Sequence, residues 1–393
     1  MTLRVAVVLC GVADLQGGGG AERYFADLVA AIANSPRTGV DITLCTDAAS
    51  VRALGLVGRS LSERQLLVWG GGRVAQLRAM RRDLGLARFD VVHLVQALPR
   101  YLPWLWCLAP VPRARRPAVA LNVNDSRLAV ALERGRGAAA IGAVELLAYR
   151  GFFLAPALDG LMSWYERFAA AYERRYRAGR KLVGVARHCF VDTARFHPDV
   201  VKQPWGVFAG RLVDYKRPLL FVESVARARD IDALALADWR FFVFGEGPLR
   251  AALLASIRAL GLQDIVSPGE GGALRDTLMK SSLFVSTQDN ENFTSLAMLE
   301  AMACGNAVIA RDVGQTRAFV RPGCNGLLSA DDEVETMART LVEFCRRPAE
   351  HVRWREESRR ITLEEHCVAR VVDEFAAFWA ALDARRRAAS QRG

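Results

Sequence analysis

Twice along this chain a continuous apolar run leads through a polar or glycine-rich turn into a stretch with helical spacing. That repeated order restricts the fold more than any composition figure does. RVAVVLCGV at 4–12 has the unbroken apolar character of a strand covered on both faces. The glycines at 17–20 follow, and then AERYFADLVAAIA at 21–33, with Tyr24, Leu28 and Ala31 at helical spacing. Further strands are predicted at VDITLCT (40–46), FDVVHLVQ (89–96) and AVALNVND (118–125). The pattern restarts with WGVFAGRL (205–212), RFFVFGEG (240–247), SLFVSTQ (282–288) and NAVIARDVG (306–314), with helical spacing between them. Strands alternating with helices imply doubly wound α/β domains, each built on a parallel sheet. The tail from residue 368 reads as a long amphipathic helix with a basic end.

A length of 393 residues fits two domains, and 52% apolar residues supply two cores. PDVVKQP at 198–204, with a proline at each end, marks the boundary. The expected division is 1–203, 204–367 and a C-terminal helix with a basic tail over 368–393. The segment 137–164 is the most apolar stretch, but Glu145, Arg150 and Asp159 interrupt it, so it is predicted as a mostly buried helix and not a membrane span. The net charge is +11, carried by 49 Arg and only four Lys. That balance suits anionic partners and allows peripheral contact with an anionic membrane face, but no nucleic-acid module can be read from it. The clusters at 113–116, 174–180 and 385–387 are expected to be solvated faces. Eight Cys without a C-x-x-C pair, several of them in apolar runs (Cys10, Cys45, Cys304), read as reduced core thiols in the cytoplasm. No group of Asp, His or Cys has metal-ligand spacing.

In parallel-sheet domains ligands bind beyond the carboxyl ends of the strands, so the turns there carry the candidate site. DNENFTSLAMLEAMACG at 289–305 begins as a polar turn and becomes a helix near Thr294, capped by Thr294 or Ser295. The N–H groups of such a helix start form an anion site. Glu300 lies in an otherwise apolar run, and a buried carboxylate needs a partner. A ribose diol or an Arg of the fold would each serve. FAGRLVDYKRP at 208–218 places Arg211 and Lys216 in another such turn, where fixed cations suit an anionic ligand. His93 ends a strand and is either a site residue or a core histidine.

These motifs resemble those of family-4 retaining glycosyltransferases. Their acidic signature is Glu-x7-Glu followed by Ala-Met-Ala-x-Gly. Here Glu291 and Glu300 are one residue further apart, and Asn292 stands at the x7 position. GRLVDYK is similar to the family's Gly-Arg-Leu…Lys motif, the turn at 17–20 to its Gly-Gly-x-Glu loop, and GEGP at 245–248 to a structural turn. LDGLMS (158–163), VDTARFHP (191–198) and PGCNGLL (322–328) also match. Where relatives carry His-Asp, this chain has Asn124-Asp125.

The resemblance implies a GT-B architecture: two Rossmann-like domains, a cleft between them and a C-terminal helix crossing back to the first. It implies transfer of a sugar from a nucleotide-sugar donor, UDP- or GDP-linked, to a hydroxyl on a glycan, lipid-linked or small-molecule acceptor. Configuration would be retained, with no metal and no further cofactor. Arg211 and Lys216 would grip the diphosphate and Glu300 the ribose. Glu291, Asn292, Phe293, Thr294 and Ser295 would surround the donor sugar, with Gly19 and Gly20 closing over it and Asp125 and Asn124 near the reaction centre. The alternative is a degenerate subunit that binds or scaffolds. A nicotinamide-dependent oxidoreductase is disfavoured, because the glycines at 17–20 lack Gly-x-Gly-x-x-Gly spacing.

Overall fold

A computed structural model describes residues 2–11, 20–35, 39–54, 61–84, 88–96, 99–123, 128, 143–164, 166–176, 181–186, 190–198, 201–289 and 295–390. The chain forms two compact units, Met1–His188 with Ala369–Gly393, and Cys189–Val368. The division at His188/Cys189 lies upstream of the proline-bounded linker. Val191 bridges to Cys367, and Arg359 donates to the carbonyls of Phe196 and Thr193 at 2.8 and 3.1 Å. The segment 191–198 therefore belongs to the second unit.

In the first unit, strands β1 (Leu3–Leu9), β2 (Val40–Asp47), β3 (Leu66–Trp69), β4 (Val91–Leu94), β5 (Ala118–Val123), β6 (Leu158–Ser163) and β7 (Leu182–Val185) form one sheet in the order β3-β2-β1-β4-β5-β6-β7. Every pairing is parallel. The central strands β4 and β5 are buried along their whole length, as unbroken apolar runs require. Edge strands β3 and β7 have four residues each and are largely exposed or half-buried, so neither makes a run long enough to stand out in the sequence.

The segment 137–164 departs from expectation. Its described residues hold a helix at Ala143–Leu154, followed by β6, and not one continuous helix. Pro156 separates the two, because proline cannot continue a helical hydrogen-bond ladder. The helix is not mostly buried either: Leu147 is 65% and Leu154 59% exposed. Among the basic clusters, Arg116 is buried and not solvated. It bonds Asp159 at 2.6 Å and the Ala157 carbonyl at 3.1 Å, which ties β5 to β6.

The last helix, Val368–Ser390, packs back on this sheet. Phe375, Phe378, Trp379 and Leu382 are buried. A Cβ on Gly160 of β6 would meet Leu382 at 2.7 Å, and one on Gly184 of β7 would meet Phe378 at 2.8 Å. The two strands carry glycine where the helix presses closest.

In the second unit, strands β8 (Trp205–Ala209), β9 (Arg240–Phe244), β10 (Val266–Pro268), β11 (Leu283–Ser286), β12 (Ala307–Arg311) and β13 (Gly326–Ser329) follow the order β10-β9-β8-β11-β12-β13, again all parallel. Phe221, Phe241, Trp239, Phe344 and Trp354 anchor its core. In this order the chain leaves β8 toward one side of the sheet and later returns to its other side at β11. The β8–β11 pair is therefore the topological switch point, where a crevice opens beyond the strand ends.

Candidate functional site

Both candidate turns of the second unit leave that switch point. The first follows β8 and carries Arg211 and Lys216. The second follows β11 and leads into the helix Leu296–Ala303. Gly210 N–H donates to the Phe244 carbonyl at 3.0 Å, and Leu212 N–H to the Glu246 carbonyl at 2.9 Å, so the first turn leans on the GEGP turn. Only glycine fits there: Gly245 has φ +147, and a Cβ would lie 1.9 Å from the Gly210 carbonyl oxygen. GEGP is thus the platform under the Arg211 turn.

The Arg211 guanidinium donates to the Tyr215 hydroxyl and lies over its ring, 5.6 Å from the centroid. Lys216 Nζ donates to the Gln288 side-chain carbonyl and lies 5.6 Å from the same centroid. Thr287 Oγ1 donates to the Lys216 carbonyl at 3.0 Å and the Arg217 carbonyl at 2.8 Å. The Asp289 N–H donates to the Tyr215 carbonyl at 2.9 Å. Its carboxylate pairs with Arg217 at 3.4 Å and with Arg311. The two turns are stitched together, and Asp289 is committed to that stitching. Sequence reasoning missed Thr287, Gln288, Tyr215 and Arg311. A visible signal for the first two was a polar Thr-Gln pair ending an apolar strand.

The helix starts at Leu296, and Ser295 is its cap: its hydroxyl accepts from Met298 N–H at 3.3 Å. Glu300, one turn on, is half-buried beside the buried Leu299 and Ala301. Burial pushes its carboxyl up to about 7, while the charge of Arg195 pulls the other way. Among the described residues no hydrogen bond or ion pair satisfies it. Glu291, Asn292, Phe293, Thr294, Gly19, Asn124 and Asp125 lie outside the described residues. Gly20 begins the helix Gly20–Ala33 that follows β1.

In the first unit Asp47 closes the carboxyl end of β2. It accepts from Gly11 N–H at 2.6 Å and from Ser50 N–H at 2.8 Å. Burial opposes its ionisation, but these bonds outweigh burial and hold its carboxyl below the ordinary range. His93 of β4 is a core residue. It is fully buried among Phe25, Phe375, Phe378 and Trp379. Its Nδ1 accepts from Trp379 Nε1 at 2.9 Å, and burial lowers its pKa to about 3, which keeps the ring neutral. It therefore holds the C-terminal helix and does not line a site. Among the described residues no group of three or more His, Cys, Asp or Glu is placed to hold a metal ion, and no helix is long and apolar enough to cross a membrane.

Residues 203–347 match the family of glycosyl transferases group 1. A D-inositol 3-phosphate glycosyltransferase of Streptosporangium roseum is 32% identical over 189 residues, 46% of this chain and 40% of that protein. The protein of the same name from Geodermatophilus obscurus is 26% identical over 335 residues, 77% of this chain and 69% of its own length. The chain thus spans only about two fifths of the first of these relatives. Among solved structures, sucrose-phosphate synthase from Thermosynechococcus elongatus superposes with a TM-score of 0.73 at 15% identity, covering 98% of this chain and 100% of that one. The pneumococcal O-GlcNAc transferase GtfA, solved with UDP and GlcNAc, superposes with a TM-score of 0.71 at 11% identity, covering 97% and 99%. These likenesses establish the GT-B fold.

Proposed function

We propose that this chain, whose second unit carries a group 1 glycosyl transferase domain within a GT-B fold, moves a sugar from a nucleoside-diphosphate donor to an acceptor hydroxyl. One observation carries the reading: the turn after β8, which carries Arg211 and Lys216, is tied through Lys216 to the turn after β11, at the switch point, with a carboxyl one helical turn further on that no bond among the described residues satisfies. A nucleotide sugar answers all three features. Its diphosphate meets Arg211 and Lys216, the helix start at Ser295 offers N–H groups to phosphate or sugar oxygens, and its ribose diol donates to Glu300.

In the proposed reaction the bond between the anomeric carbon and the diphosphate oxygen breaks. The negative charge that develops on the diphosphate is met by cations already in place. The acceptor oxygen attacks from the face the diphosphate leaves, so configuration is retained, and its proton passes to the departing diphosphate oxygen. Arg211 and Lys216 do the work a divalent ion does elsewhere. Glu291 and Asn292 would steady the sugar. The first unit would hold the acceptor, a glycan, a lipid-linked saccharide or a small polyol.

UDP is the first nucleotide to test, since a neighbour in fold was solved with it. A panel of UDP-, GDP- and dTDP-sugars should contain at least one that raises the melting temperature, because a ligand bound only by the native state stabilises it. With that donor, Lys216→Ala should weaken binding at least tenfold in calorimetry and abolish product. If it leaves both unchanged, the reading is wrong. If no nucleotide sugar binds, the chain is better described as a binding or scaffold subunit.

A further inference from the structure

We propose that Gln288 is a positioning residue for the donor diphosphate, its neutral side-chain carbonyl holding the Lys216 ammonium in place without adding an anion beside the phosphates. This rests on reading Lys216 as a diphosphate cation.

The backbone ladder alone does not align the two turns. Strands β8 and β11 pair only at Gly206–Leu283 and Val207–Phe284, well before Lys216. Beyond the ladder the connection is made by three consecutive residues, each holding a different part of the opposite turn. Thr287, fully buried, bonds the Lys216 and Arg217 carbonyls through its hydroxyl. Gln288, 2% exposed, holds the Lys216 ammonium. Asp289 holds the Tyr215 carbonyl through its N–H and the Arg217 guanidinium through its carboxylate. Arg217 has φ 51, the one positive φ on a non-glycine residue among those described. A left-handed conformation at such a residue persists where its surroundings over-determine it. Here Thr287, Asp289 and Asp332 do so. The Lys216–Arg217 corner is thus held by the end of β11.

The residue type at 288 matters as much as the bond. A buried primary amide must find partners, and an ammonium supplies a strong donor. Glutamate would bond Lys216 more strongly. It would also place a carboxylate against a ligand carrying negative phosphates, and like charges in a half-buried site repel. A neutral oxygen orients the cation without that repulsion. Tyr215 does the same for Arg211, through a hydroxyl.

The test compares each nucleoside diphosphate with its own nucleoside, using UDP against uridine and GDP against guanosine, on the full chain by calorimetry. The ratio of the two affinities isolates what the diphosphate contributes. Gln288→Leu should lower that ratio about tenfold, the scale of a lost charged hydrogen bond, with nucleoside binding unchanged. Gln288→Glu should lower it further. In a Lys216→Ala background, Gln288→Leu should change it little, since the two act through one contact. A wild-type ratio in both Gln288 variants, when Lys216→Ala has lowered it, overturns the role of Gln288 and leaves the donor reading standing. Equal losses for nucleoside and diphosphate would show general damage to the site and also overturn it. An unchanged ratio in Lys216→Ala, or no binding by either nucleotide, overturns the donor reading and this proposal with it.

Discussion

Glu300 is the residue whose chemistry most depends on its surroundings. Its native carboxyl titrates near 7, against an ordinary value of 4.5, because burial penalises its charge. In the proposed donor complex a ribose diol would donate to the ionised form. Donor affinity should therefore rise about tenfold from pH 6 to pH 8, as the ionised fraction climbs through the midpoint. Glu300→Gln should flatten that profile in calorimetry across the same range. The folding linkage has the opposite sign. A carboxyl raised in the native state binds more protons there than in the unfolded chain, so its contribution to stability is lost as pH rises from about 4.5 through 7. Without ligand at pH 8, Glu300→Gln should melt higher than wild type by roughly 2–4 °C, the scale of about 1 kcal/mol. Its apolar neighbours made this residue conspicuous in the sequence. The sequence left open whether a ribose or an arginine answers it. The fold supplies Arg195 as a nearby charge but, among the described residues, no bond to the carboxyl oxygens.

At the level of elements, most interior runs were legible, β6 being the exception read as part of a helix, and the edges were not. Strands β4, β5, β8, β9, β11 and β12 fall within runs read from sequence, and β1 and β2 overrun theirs by one residue, because a parallel strand covered on both faces is apolar along most of its length. Strands β3, β7 and β10 are short edge elements, and little in their residues separates them from a loop. The C-terminal helix was visible as a helix, but what it covers was not. Trp379 fills space under it and donates to His93. Trp379→Phe keeps most of that volume and removes the donor. Leaving a buried imidazole nitrogen unsatisfied should cost about 1–3 kcal/mol in urea unfolding. Trp379→Ala should cost more, roughly 3–5 kcal/mol, because a cavity is added to the loss. A Trp379→Phe variant as stable as wild type would assign the bond to His93 no role.

For the whole molecule, the chain returns to its first unit after completing its second, so stability of the first depends on residues at the far end of the sequence. A chain ended at Val368 keeps the second unit whole and strips Phe375, Phe378, Trp379 and Leu382 from the first. Calorimetry should then show the first unit melting far lower, or unfolded at 25 °C, with the transition of residues 189–368 retained. A single transition lowered as one would show that the units unfold together.

Local residue patterns were enough for the architecture class, two parallel-sheet α/β units and a C-terminal helix, because apolar periodicity and glycine placement follow directly from strand burial and turn geometry. The sequence also marked Lys216, one of four lysines, and Glu300, a carboxylate in an apolar run, by residue type, and Arg211 by its place in the Gly-Arg-Leu motif. Tertiary structure alone decided the rest. That His93 is core, that Arg116 is buried on Asp159, and that Thr287, Gln288 and Asp289 hold the Lys216 turn are facts about residues far apart in the chain. A side chain's chemistry announces what it can bond. Which partner it meets depends on strand order, and strand order is not written in any local run of residues.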